Sequence, residues 1–93
     1  MIQTVVKRDG RIVGFNEEKI ITAIRKAMLH TDKGEDMSLI RQITDHISFR
    51  GGAQMTVEDI QDMVEMELMK SSRKDVAKQY ISYRNKRRIA RKA

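Results

Sequence analysis

Cysteine, proline and tryptophan are all absent from this chain of 93 residues, and aromatic side chains make up only 4% of it. Without cysteine there is no disulfide framework, no thiolate zinc site, no iron–sulfur ligation and no thiyl chemistry. That composition fits a cytoplasmic protein. No apolar run approaches the roughly 20 residues needed to span a bilayer, and the start Met1-Ile2-Gln3-Thr4 has no signal-peptide pattern. The glycine-rich phosphate signatures, Walker-type or GxGxxG, are missing too. Any phosphate binding must therefore use lysine and arginine side chains together with local backbone.

The length allows one small domain with a single modest core. Net charge is +6 and the isoelectric point is near 9.9, a balance that favours nucleotides, nucleic acid or a membrane surface. The charge is uneven. Acids crowd between Val57 and Leu68, whereas from Arg73 onward only Asp75 is acidic.

In chain order, residues Gln3 to Phe15 read as a hairpin. Asp9-Gly10 between apolar-rich runs predicts a two-residue turn, which would set Arg8 opposite Arg11 and Val6 opposite Val13. Asn16 reads as the cap of a first helix running to Leu29, with Glu17 and Glu18 in its first turn. Ser38 is the expected cap of a second helix ending before the Gly51-Gly52 break. Thr56 caps a third, and Ser71 or Ser72 a fourth. The inward stripes are Ile20, Ile21, Ala23, Ile24, Ala27 and Met28; Leu39, Ile40, Ile43 and Ile47; Ile60, Met63, Val64 and Leu68; and Val76, Ala77, Tyr80 and Ile81. The fold class is α+β, mostly α: a β-hairpin followed by four helices packed as one unit.

Catalytic constellations are lacking. His30 and His46 have no third ligand and read as ordinary polar side chains. Glu58, Asp62 and Glu65 share one helical face and read as solvated. Met55, Met63, Met66 and Met69 read as core filler. The hairpin is different: Lys7 and Arg8 lie at its tip, Lys19 on the first turn of the next helix near its positive end, and Val5, Phe15 and Ile20 offer apolar surface nearby. This suits either a solvated turn or an anion site.

Val5-Val6-Lys7-Arg8-Asp9-Gly10-Arg11, Phe15, Lys19-Ile20, Ala23-Ile24 and Ala27 resemble the opening of the ATP-cone domain. Val57 to Asp62, Val64-Glu65 and Leu68-Met69 resemble its third helix, and Val76-Ala77, Tyr80-Ile81 and Tyr83-Arg84 its closing helix. The resemblance implies a four-helix bundle capped by a small sheet that binds ATP or dATP, with Mg²⁺ as a possible companion. It implies a non-catalytic domain controlling the overall activity of a ribonucleotide reductase through subunit association. It implies phosphate contacts from Lys7, Arg8 and Lys19, and adenine and sugar contacts around Val5, Phe15 and Ile20. Val57 and Gln61 match ribose- or base-side positions that are threonine and histidine in some aerobic relatives. Tyr83, Arg84 and Lys86 are candidates from the last helix. The ending Tyr80-Ile81-Ser82-Tyr83-Arg84 and its basic run are most like anaerobic ribonucleoside-triphosphate reductases. The expectation is one cone domain over residues 1–93, excised from such a chain, with the catalytic domain as partner and a nucleotide-dependent oligomer as its output.

Two rival readings come from the basic ending. A nucleic-acid module could lay Arg84 to Lys92 along a phosphate backbone, but no recognition helix or interleaved aromatics accompany it. A helical interaction module could instead pair the acidic third and basic fourth helices with a neighbour. The expected partners are nucleotide rather than nucleic acid, and no membrane.

Overall fold

Three short strands and four helices follow one another as β1 (Thr4–Val6), β2 (Ile12–Gly14), α1 (Glu17–Leu29), α2 (Met37–Arg50), β3 (Gln54–Thr56), α3 (Val57–Lys70) and α4 (Lys74–Lys92). The computed structural model describes the backbone of residues 1–92 and the side chains of residues 1–87. The expected α+β architecture is present, with one strand more than the sequence reading held. β1 is the centre of a mixed sheet of order β2-β1-β3. It runs antiparallel to β2 and parallel to β3, with Val5 beside Val13 on one edge and Met55 on the other.

The hairpin register differs from the expectation by one residue. A type I′ turn needs positive φ at both central residues, yet no residue other than glycine has positive φ among the described residues. Asp9 instead turns its carboxylate back, accepting from Arg11 N at 3.0 Å and Arg11 Nε at 2.6 Å. Those two contacts, the backbone one first, hold its carboxyl below the usual carboxylate range. Gly10 takes the left-handed position at φ +89°, and its N–H donates to Lys7 O at 2.9 Å. The outcome is a three-residue loop with Lys7, not Arg8, opposite Arg11. A one-residue slip exchanges the faces of a strand, so Val5 and Val13 now share one face with Lys7, and Arg8 is freed to look elsewhere.

Asn16 caps α1 as expected, accepting from Glu18 N at 3.0 Å. The α2 cap is Asp36 rather than Ser38, accepting from Leu39 N at 3.1 Å. Thr56 caps α3 through Asp59 N. Ser71 does not start α4: it ends α3, donating to Leu68 O and accepting from Arg73 N. Arg73 is buried, and bonds from its guanidinium to Thr31 Oγ1, Gly34 O and Asp75 pin the α1–α2 connection to the start of α4.

α1 packs on α2 and α4, and α3 packs on the same two helices. The core between them is isoleucine-rich: Ile2, Ile20, Ile21, Ile24, Ile40, Ile43, Ile47 and Ile60, with Met28, Val64, Leu68, Val76 and Tyr80. Each such side chain, fully buried, contributes about 1.5–3 kcal/mol. Met55 and Met63 pack against this core, but Met66 and Met69 stand more than half exposed and are not filler. Among the described residues no helix is long and apolar enough to cross a membrane.

Candidate functional site

A cavity of about 550 Å³ opens where β1, β2, the exposed face of α1, the first half of α3 and the middle of α4 converge. Its size is within the usual 300–1,000 Å³ range of ligand clefts. Val5, Val13, Phe15, Ile20, Ala23, Val57, Ile60 and Val64 supply apolar wall, and Lys7, Lys19, Lys26 and Arg87 supply positive charge against the single acid Glu18. The three lysines reach it for simple geometric reasons. Lys7 directly follows β1 and is two residues from Val5, on the same cavity-facing side. Lys19, Ala23 and Lys26 follow one another at helical spacing on α1.

The sequence-derived candidates are distributed as follows. Val5, Lys7, Phe15, Lys19, Ile20, Val57, Gln61 and Tyr83 all line this cavity. Arg8 does not. It lines an adjoining cleft of about 410 Å³ with Lys7, Asp9, Arg11 and Val57, and there its Nη2 lies 2.6 Å from Glu58 Oε1. Lys86 is exposed on α4 and absent from both linings; Arg87, one position on, takes the place expected of it. Arg84 points the other way, 7% exposed, against Glu58 at 3.0 Å, Asp62 at 2.7 Å and Glu65 at 3.5 Å. Burial opposes its charge, but the hydrogen bonds it donates to Glu58 and Asp62 outweigh that and raise its pKa above the ordinary value. The acidic face of α3 is therefore an arginine clamp and not simply solvated.

Lys26 and Arg87 were missed by the sequence reading. The 19-to-26 spacing on α1 and the Tyr83-to-Arg87 step on α4 were the available signals. Arg87 Nη1 donates to Tyr83 Oη at 2.9 Å while its guanidinium sits 5.7 Å from the ring centre, a cation–π pairing that orients both. Tyr80 backs the cavity, and burial pushes its phenol up to about 12. One polar atom has no partner here: the buried Gln61 Oε1. A buried acceptor left unpaired costs about 1–3 kcal/mol, so it fits a ligand bearing an N–H or O–H, as an adenine or a ribose does. An apolar wall for a base, an orphan acceptor and converging cations together suit a nucleotide.

The ATP cone domain family matches residues 3–89. The vitamin B12-dependent ribonucleoside-diphosphate reductase of Thermoplasma acidophilum is 46% identical over 98% of this chain and 13% of its own length. The ribonucleoside-diphosphate reductase subunit alpha of Chlamydia trachomatis is 37% identical over 96% of this chain and 10% of its own. The anaerobic ribonucleoside-triphosphate reductase of Haemophilus influenzae is 33% identical over 94% and 13%. Anaerobic reductases are thus among the relatives, as the Tyr80–Arg84 block implied, beside a B12-dependent enzyme of higher identity. The chain spans only about a tenth to an eighth of the length of these relatives. The match runs through both cavity-forming ends of the sequence, and the chain belongs to the ATP cone domain family.

Proposed function

We propose that this domain is an allosteric sensor that binds ATP or dATP in the α1–α3–α4 cavity and controls the overall activity of a ribonucleotide reductase. The observation that carries the reading is the cavity itself, where an apolar wall, the orphan Gln61 Oε1 and four cations meet. The adenine lies against Val5, Phe15 and Ile20, and Gln61 accepts from the base or the ribose. Lys7 and Lys19 hold the triphosphate, Arg8 joins them from the adjoining cleft, and Arg87 and Lys26 close the far sides. Among the described residues no group of histidine and carboxylate side chains is placed to hold a metal ion. Mg²⁺ in this reading travels with the triphosphate and is held by its oxygens.

ATP and dATP differ only at the ribose 2′ position. Discrimination falls to Val57 and Gln61 at the start of α3, and the difference tilts α3 and α4 to expose or hide a surface through which subunits associate. A ligand shifts such an equilibrium only by its differential affinity, typically 1–3 kcal/mol. The partner is the catalytic part of a reductase, in a cytoplasmic setting, and residues 1–93 act as one regulatory unit within it. The nucleic-acid reading loses Arg84, which is buried among carboxylates.

Calorimetric titration with ATP and dATP tests the site. Saturable binding is expected from the unaltered protein, and its loss from the Lys7→Ala/Arg8→Ala double variant, with helical circular dichroism retained. Unchanged affinity in that variant refutes the phosphate assignment.

A further inference from the structure

Glu58 joins two arginines from opposite ends of the chain. Its Oε1 lies 2.6 Å from Arg8 Nη2 at the hairpin tip, and its Oε2 lies 3.0 Å from Arg84 Nη2 on α4. Arg84 Nη2 also reaches the Glu58 carbonyl at 3.4 Å, and its Nη1 goes on to Asp62 and Glu65. One carboxylate thereby connects the cleft of Lys7, Arg8 and Arg11 to the helix that carries Tyr80, Tyr83 and Arg87 into the main cavity.

The two cavities share Lys7 and Val57. A phosphate chain passing Lys7 therefore emerges beside Arg8. Phosphate and carboxylate seek the same planar fork of guanidinium donors, so Arg8 cannot fully serve both. A second feature completes the exchange: Arg84 Nε is buried and without a partner, and it is the donor that a Glu58 carboxylate released from Arg8 would take.

We propose that Glu58 is a positioning residue that competes with the ligand's phosphates for Arg8 and, once displaced, closes onto Arg84, so that anion arrival at the hairpin tightens the α3–α4 contact. This rests on the nucleotide-binding reading above. It supplies the link between occupancy and helix packing, and it sets the affinity below what Lys7, Arg8 and Lys19 would give if Arg8 were unopposed.

The test pairs Glu58→Gln with Asp62→Asn. Each removes one carboxylate from Arg84, but only the first touches Arg8; Arg84 retains two acidic partners in either case, which preserves the fold. In calorimetry with ATP, Glu58→Gln is expected to bind roughly two- to fivefold more tightly than the unaltered protein, the worth of one partly exposed ion pair. Asp62→Asn should stay within about twofold. Amide hydrogen exchange supplies the second readout. In the unaltered protein ATP should slow exchange on α4 around Tyr80 to Lys86, and in Glu58→Gln that ATP-dependent change should be lost although ATP still binds. Equal tightening in both variants would mean that net charge alone acts, and would overturn the proposal. So would a Glu58→Gln affinity that is unchanged, or an α4 response that survives the substitution. Absence of ATP binding in the unaltered protein would overturn the functional reading along with it, a result that neither variant alone can mimic.

Discussion

Tyr80 shows how one residue carries both packing and site chemistry. It is 4% exposed, belongs to the core and still backs the cavity. Burial raises its phenol from 10.0 to about 12. A group with a raised native pKa contributes stability that is complete below its unfolded value and is lost as the pH climbs through the native one. Between about pH 10 and 12 the folded protein should therefore lose stability through Tyr80, and Tyr80→Phe should flatten that part of a denaturation-versus-pH curve. If the slope is the same in the variant, the phenol is not the group responsible. Arg84 is the opposite case, a buried charge kept by three acids. The i, i+4, i+7 spacing of Glu58, Asp62 and Glu65 was legible in the sequence as a face. What fills that face was not, because its partner comes from a helix 19 to 26 residues later in the chain.

Among elements, helices were easy to read and the sheet was not. α1 announced itself by Asn16, the two first-turn acids and an unbroken 3.6-residue stripe. β3 had nothing comparable: three residues, Gln54–Thr56, that run straight into the cap of α3 and alternate with no stripe of their own. The hairpin register was misjudged because Asp-Gly fits two turns, and the choice lay with the Asp9 carboxylate, which hydrogen-bonds Arg11 and keeps Asp9 at negative φ. That slip moved Arg8 out of the main lining, so the site was legible in its residue types more than in their directions. The Gly51-Gly52 pair also has a narrower role than a flexible turn. Gly51 is extended at φ −68°, buried, and so close to Ile2 and Met55 that a Cβ would overlap both. Gly51→Ala should cost about 1–3 kcal/mol through overpacking, measured by urea denaturation. Gly52→Ala, with open space around it, should cost well under half of that.

For the whole molecule, the cavity draws on five of the seven elements, so its occupant is bound only by the completed fold. Mass action then makes ligand concentration a stability variable: at one hundred times Kd the gain is about 2.7 kcal/mol. For a domain of this size about 1 kcal/mol moves Tm by roughly 4–8 °C, and a scanning-calorimetry rise of about 10–20 °C is expected in saturating ATP. A shift that inorganic phosphate reproduces in full would point to charge alone and discard the role given to the apolar wall. The topology has a consequence for how such a chain is made. Synthesis runs from β1 towards α4, and the parallel neighbour of β1, β3, follows it by some 50 positions. Until residue 56 has emerged, the central strand has one open edge, Ile2 lacks the α2–β3 turn that buries it, and helices α1 and α2 have only each other. During synthesis the β1–β2 ribbon must therefore wait, unpaired along that edge, for the length of α1 and α2, an interval in which other strands or chaperones can meet it.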